Sequence, residues 1–405
     1  MTRVAPHNLA NILSRAPESS LPVITRWAER LRAFAEQADV DAAIPDALLA
    51  DLDISRINTN LVPPADGGCF PDLDPLGWAA ALEILGHGDP ALTIALPGPG
   101  LAFPPIDALA SPSQRAALFA RFQSEQPVWG AFAISEPEAG SDATAIATTA
   151  QPDGDGYRLN GEKCFITNGA RADVIVTFAN LDPRRGRFGI RAFAVDRLNP
   201  GFSVVRTEPM FGLRASQLAT LRFEDCRVPR EAMLGGDGMR HGFLDAFSAA
   251  QSSWDFMRPL LACIMVGSAR AALETIDETI GSHEGATRLS VDAIEHRLAR
   301  LSREIASARA LAYRAIWRTD RGLPATREAA IAKHAAAKAA RAATEAGREL
   351  LTPAGWMAAP LLEKWRRDAI AFSIMEGTAD IQVQNIVRLS IRRPELVEPV
   401  SRAPA

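Results

Sequence analysis

The chain has no C-x-x-C pair: its four cysteines, Cys69, Cys164, Cys226 and Cys263, are widely scattered. That spacing argues against a disulfide framework or a clustered zinc site, and fits reduced thiols in a cytoplasmic enzyme. An excess of positive charge is also missing. Against 48 Asp+Glu stand 44 Lys+Arg, a formal net charge of −4, whereas nucleic-acid binders usually show a strong basic patch. No uninterrupted apolar run reaches about 18 residues, so no membrane span is expected. The opening stretch Met1 to Leu13 holds Asn8 and Asn11 and lacks a long apolar core, which argues against a signal peptide. Internal repeats and low-complexity tracts are absent. What remains is 405 residues with 47% hydrophobic and 23% charged content. That is the make-up of an ordinary globular protein, long enough for about two or three domains.

Along the chain the hydrophobic period changes twice. Residues 1–125 read as a helical domain. Trp27, Leu31 and Phe34 recur at helical spacing, Ala47-Leu48-Leu49 opens another apolar face, and Trp78 to Ile84 is helical again. A Gly/Pro/Asp-rich loop is expected over Pro63 to Pro75, and Pro97-Gly98-Pro99-Gly100 breaks a helix. Ser111-Pro112 reads as a helix start, with serine as N-cap and proline at the first helical position. Over 126–240 the runs Val174–Phe178, Phe188–Val195 and Leu218–Phe223 are β-branched or aromatic. Asp153-Gly154-Asp155-Gly156 and Asn160-Gly161 read as the turns between strands. From 241 to 395 the helical period returns: Ile294, Leu298, Leu301, Ile305, Ala308 and Ala312 form one stripe. The expected fold is therefore mainly α with a central β domain. An N-terminal helical domain, a middle β-barrel-like domain and a C-terminal four-helix bundle are followed by a tail, 396–405, that frays.

One stretch stands out chemically, Ile374-Met375-Glu376-Gly377-Thr378, a carboxylate inside an otherwise apolar run. Loss of hydration there raises the pKa of Glu376 towards that of a working base, and the glycine admits close approach of another group. Two further stretches could hold a ligand. Phe132 to Asp142 ends in small residues with exposed N–H groups and hydroxyls that suit a phosphate or a polar ring edge; a surface turn suits that composition better. Leu159 to Ala170 offers an aromatic face, a hydroxyl and a tight turn, which a ligand-free hairpin explains equally well. His283 and Glu284 lack further ligands nearby, so no metal site is expected. His296 and His334 read as solvated helix faces, and Arg184-Arg185-Gly186-Arg187 as a solvated hairpin tip.

Taken together, Ser135-Glu136-Pro137-Glu138-Ala139-Gly140-Ser141-Asp142, Gly161-Glu162-Lys163-Cys164-Phe165-Ile166-Thr167-Asn168 and Glu376-Gly377-Thr378 resemble, in order, the motifs of the acyl-CoA dehydrogenase family. Phe223 to Gly236 resembles that family's exit from its β domain, and Lys364-Trp365-Arg366-Arg367-Asp368-Ala369 the run before its catalytic base. The resemblance spans about residues 75–392. It implies FAD as cofactor, with Phe132, Ile134 and Ser135 lining the flavin. Phe165 replaces the usual tryptophan over the ring, Thr167 sits near flavin N5, and Thr378 and Asp380 touch cofactor. It implies Ser141 facing the CoA arm of the substrate and Glu376 as the base, with the Glu376 and Gly377 N–H groups near the thioester oxygen. Some relatives place the base directly before an arginine on another helix. Here Met257 precedes Arg258 and cannot take a proton, which leaves Glu376 as the base and Arg258 beside it to orient base or substrate. The implied activity is α,β-dehydrogenation of an acyl-CoA or carrier-protein-bound acyl thioester, with electrons passed to an external acceptor. A flavin oxidase or monooxygenase on the same fold, and a partner subunit of a hetero-oligomeric dehydrogenase, are the alternatives.

Two family segments depart. Arg-x-x-Phe-Gly is replaced by Gly281-Ser282-His283-Glu284-Gly285, and Gln-x-x-Gly-Gly-x-Gly by Glu349-Leu350-Leu351-Thr352-Pro353-Ala354-Gly355. In the family these reach the adenine and diphosphate of FAD in the neighbouring subunit, and loss of a cation and a glycine turn weakens a diphosphate site. Either a homo-oligomer with weaker FAD binding or a hetero-oligomer with a related subunit is expected.

Overall fold

The computed structural model describes residues 21–51, 62, 73–235 and 246–391. The expectations for the leader, for Cys69 and most of the Pro63–Pro75 loop, and for the tail lie outside these residues. Among the described residues the helices before the sheet are α1 (Leu21–Asp41), α2 (Asp46–Leu49), α3 (Pro75–Gly88), α4 (Pro90–Ala95), α5 (Phe103–Leu109) and α6 (Pro112–Arg121). Their starts obey local chemistry. Asp74 and Asp89 accept from backbone N–H groups of α3 and α4, each with proline in the first turn. Ser111 and Gln114 form the reciprocal capping box that starts α6. The Pro97–Gly100 break falls after α4, as its prolines and glycines require.

The strands are β1 (Gly130–Ala133), β2 (Thr149–Asp153), β3 (Gly156–Ile166), β4 (Val174–Asn180), β5 (Ile190–Asp196), β6 (Phe202–Thr207) and β7 (Ala219–Pro229). They form one curled seven-stranded sheet in the order β1-β4-β2-β3-β7-β6, with β5 also paired to β4. Asp153 to Gly156 closes the β2–β3 hairpin, Gly154 adopting φ +63°. Asn160-Gly161 does not turn. It lies within β3 at a register shift against β7. A Cβ at Gly161 would meet Thr148 Oγ1 at 2.4 Å, so the glycine marks close approach and a bulge. Phe188 falls in the exposed 3₁₀ turn Pro183–Gly189, and β5 begins two residues later than its apolar run.

The last helices are α7 (Ala246–Ser282), α8 (Val291–Asp320), α9 (Thr326–Leu350), α10 (Pro353–Met357), α11 (Leu361–Phe372) and α12 (Ala379–Ile391). By length and composition α7 could cross a membrane, but 89% of its apolar window is buried inside the protein. It packs against α3, α8 and α9 as the core helix. Small side chains permit this: Ala329, Ala332, Ala336, Ala340 and Ala343 form the buried stripe of α9, so helix axes approach closely. One hydrophobic core joins α1, α3 and α4 to these helices. A second joins α5 and α6 to one face of the sheet, and a third fills the other face. The first helices and the last therefore share an interior, and the gap between them becomes the cleft.

Candidate active site

Between α11 and α12 the chain makes a left-handed turn: φ is +54° at Glu376 and +88° at Gly377. A non-glycine residue there is strained, so other groups must hold it. Three long side chains from other elements do so. Arg258 Nε of α7 donates to the Glu376 carbonyl at 2.9 Å. Gln382 Nε2 of α12 donates to the Glu376 and Gly377 carbonyls at 3.0 and 3.2 Å. Lys333 Nζ of α9 donates to the Gly377 carbonyl at 2.8 Å. All three are buried, Arg258 at 4% exposure and Lys333 and Gln382 at 0%. Thr378 Oγ1 accepts from Ile381 N–H and caps α12.

The base candidate is left unsatisfied. Glu376 Oε2 is buried without a hydrogen-bond partner, as are Arg258 Nη1 and Gln382 Oε1. Burial pushes the Glu376 carboxyl above the usual carboxylate range, while Arg258 and Lys333 pull it back. Burial also lowers Lys333, to about 8, against the raising effect of Glu376. The Arg258 guanidinium, 5.2 Å from the Trp254 ring centre, is lowered by burial as well. Glu376 and Gly377 donate their backbone N–H groups to nothing among the described residues.

Glu376 lines a cleft that is partly open to solvent. Its wall is mostly apolar, with Leu82, Ile94, Leu101, Leu260 and Ile264 among the residues opposite Met375 and Glu376. Met257, noted from sequence only as a residue that cannot be the base, also lines it, as do Thr167 and Asn168.

The two ligand-like stretches meet: Cys164 N–H donates to the Ser135 carbonyl at 2.9 Å. Phe132 and Ile134 are buried, Phe132 being 5.0 Å from Phe178 and 6.4 Å from Trp254, centre to centre. Phe165 is 59% exposed at φ +55°. Ser135 is half-buried, and Ser141 and Asp380 are exposed. Glu136 and Lys163, from the same motifs, do something else. They form a buried pair at 2.7 Å, and Glu136 also accepts from Ala147 N, Thr148 N and Thr148 Oγ1. Burial would raise Glu136, but these donors win and hold it below the usual range. The run before the base is likewise an anchor: Lys364 binds Asp89, Arg367 binds Asp39 at 2.5 Å, and Asp368 accepts from Leu213 N–H at 2.6 Å.

Lys333 and Gln382 escaped the sequence reading. Lysine in an alanine-rich helix looks solvated, yet Lys333 is in phase with Ala329, Ala336 and Ala340, and that phase was the available signal. His334 beside it is half-buried with Nδ1 unpartnered, not solvated as expected, whereas His296 is exposed. The departing segments touch each other: Thr352 Oγ1 donates to the Gly285 carbonyl at 2.7 Å, and Thr352 N–H to Ala286. Residues Gly281 to Gly285 are exposed.

Helices before and after a curled sheet that share one core, with Glu376 lining an apolar cleft between them, define a class that solved structures share. A chain described under the electron transferring flavoprotein of Acidaminococcus fermentans superposes with a TM-score of 0.82 at 30% identity, covering 93% of this chain and 98% of that one. Butyryl-CoA dehydrogenase from Megasphaera elsdenii gives 0.81 at 28% identity over 92% and 98%. The models for the acyl-CoA dehydrogenase middle and C-terminal domains match residues 131–226 and 246–390. The short-chain specific acyl-CoA dehydrogenase of Rattus norvegicus mitochondria is 36% identical over 313 residues, 76% of this chain and 74% of that protein. The chain belongs to the acyl-CoA dehydrogenase family, a family of FAD-dependent oxidoreductases.

Proposed function

We propose that the chain removes a proton and a hydride from adjacent carbons of an acyl thioester, with Glu376 as the base. The observation that carries this is the unpartnered, buried Oε2 of Glu376 on an apolar cleft. An α-proton of a thioester is weakly acidic, so its removal needs a base of raised proton affinity and donors for the developing enolate oxygen. Glu376 supplies the first. The unengaged Glu376 and Gly377 N–H groups supply the second, the Gly377 one polarised by Arg258 and Gln382 on the carbonyl of the same peptide unit. The apolar wall excludes water and aligns the acyl chain.

FAD, when bound, supplies the hydride acceptor. The residues present fit its ring end: Phe165 offers an exposed aromatic face, Thr167 a hydroxyl at the cleft, and Phe132, Ile134 and Ser135 the adjoining wall. Thr378 and Asp380 would touch cofactor from the start of α12, and Ser141, exposed, would meet the CoA or carrier arm. The diphosphate end fits poorly, because Glu284 and no cation stands in the exposed Gly281–Gly285 turn. That favours a hetero-oligomer with a related subunit over a homo-oligomer, and the flavin content of the chain purified alone, measured against that of a co-purified pair, tests it. The acceptor is an electron-transfer protein, and three buried free thiols, Cys164, Cys226 and Cys263, suit the cytoplasm. In this reading 1–125 and 241–395 are the helical domains, 126–240 the β domain and 396–405 the tail.

The deciding experiment is an anaerobic screen of acyl thioesters that follows flavin bleaching, with and without a candidate partner. Glu376→Gln should keep flavin and ligand binding and lose bleaching. Full bleaching in that variant rejects the reading. Rapid reaction of the reduced protein with oxygen would instead favour an oxidase or monooxygenase.

A further inference from the structure

The geometry points to Lys333 as a positioning residue for the base: its ammonium pins the Gly377 carbonyl and sets the charge beside Glu376. The catalytic half of this inference rests on the function proposed above. Lys333 touches neither substrate nor cofactor; it acts through the turn. Three facts converge on it. The turn is strained at Glu376, φ +54°, and needs external holders. Lys333 reaches it from α9 with a 2.8 Å hydrogen bond while wholly buried. A buried ammonium is costly unless paired, and no carboxylate lies within ion-pair distance of Nζ among the described residues. The anionic group that acts on it is Glu376 itself.

Arg258 cannot substitute for it. Arg258 holds the Glu376 carbonyl, one peptide unit earlier, so the two cations brace successive peptide planes of one turn. The other charged groups near the turn are accounted for. Asp255, one helical turn before Arg258, accepts from Thr326 Oγ1 at 2.5 Å and from Gln251 Nε2 at 2.9 Å, and Asp380 on α12 is exposed. Lys333 is, after Arg258, one of the two cations that pull the Glu376 carboxyl down against its burial. Removal of Lys333 therefore strengthens the hold of Glu376 on its proton as well as loosening the turn.

The test compares Lys333→Met, Lys333→Gln and Lys333→Arg with the unaltered protein. The first readout needs no substrate: the infrared carboxyl band that Glu376→Gln abolishes is titrated against pH. The expected result is an upward shift of roughly one pH unit or more in Lys333→Met and in Lys333→Gln, which keeps a donor but no charge, with Lys333→Arg restoring most of it. The second readout is the acid limb of flavin bleaching by an acyl thioester, which should move by the same interval, with KM for the thioester changing much less than kcat. A folded Met or Gln variant whose carboxyl band titrates as in the unaltered protein overturns the proposal. If Lys333→Met fails to fold, the Gln variant decides. If no thioester bleaches even the unaltered flavoprotein, the proposed function fails while the carboxyl titration still decides the role of Lys333.

Discussion

Two glutamates in this protein, Glu136 buried and Glu376 half-buried with its Oε2 enclosed, live by opposite rules. Glu136, three residues past the end of β1, accepts from Lys163, from two backbone N–H groups and from the Thr148 hydroxyl, and is held below the usual carboxylate range. Glu376, between α11 and α12, has two cations nearby, yet both spend their bonds on its turn's carbonyls, and Oε2 has no partner. Each glutamate is accompanied by a buried lysine lowered to about 8. The difference is where the donors go. Donors aimed at the carboxylate make a structural tie; donors aimed at the adjoining backbone leave the carboxylate with unspent basicity.

Four experiments break or sharpen that contrast. The largest effect should come from Glu376→Gln, with flavin bleaching by thioester slowed by roughly 10²–10⁴-fold, the range general-base catalysis spans, read by anaerobic stopped-flow absorbance. Glu136→Ala should destabilise by about 3–5 kcal/mol in denaturant titration, because the Lys163 ammonium is then buried and uncompensated. Comparable destabilisation by Glu376→Gln would erase the distinction. Gly377→Ala should cost more than about 1 kcal/mol, since φ is +88° and the new Cβ would sit 2.5 Å from Gln382 Nε2; the same titration, with bleaching, reads it. The smallest effect is one of sign, read as melting temperature against pH. With its pKa depressed, Glu136 gives stability that is present above its unfolded value near 4.5 and lost as pH falls through the folded value. With its pKa raised, Glu376 gives stability that is present below 4.5 and lost as pH rises through the folded value. Glu376→Gln should therefore gain relative stability as pH rises, and the deficit of Glu136→Ala should shrink as pH falls.

The order of helices, sheet and helices was legible because each layer buries one face, and burial writes its period into the chain. Ser111–Gln114 was legible because capping is local. Asn160-Gly161 was misread because its turn propensity is also local, and the pairing of β3 with β7 overrode it. Glu376 could be found because a carboxylate interrupts an apolar run. Lys333 could not be found the same way, since its partner carbonyl is 44 residues distant and lysine ordinarily lies on wet helix faces. The motif residues Glu136, Lys163 and Lys364 were legible as a pattern but not as ties, because only coordinates tell which acceptor a buried ammonium meets.

Gly285 and Ala286 receive the hydroxyl and amide of Thr352, and a Cβ on Gly355 would lie 2.5 Å from the Ala286 carbonyl. The two segments are thus one interlocked joint, tied through backbone carbonyls and a glycine contact. Whoever redesigns one of them therefore handles both, since a side chain put in place of Gly355 would press on the Ala286 backbone of the other.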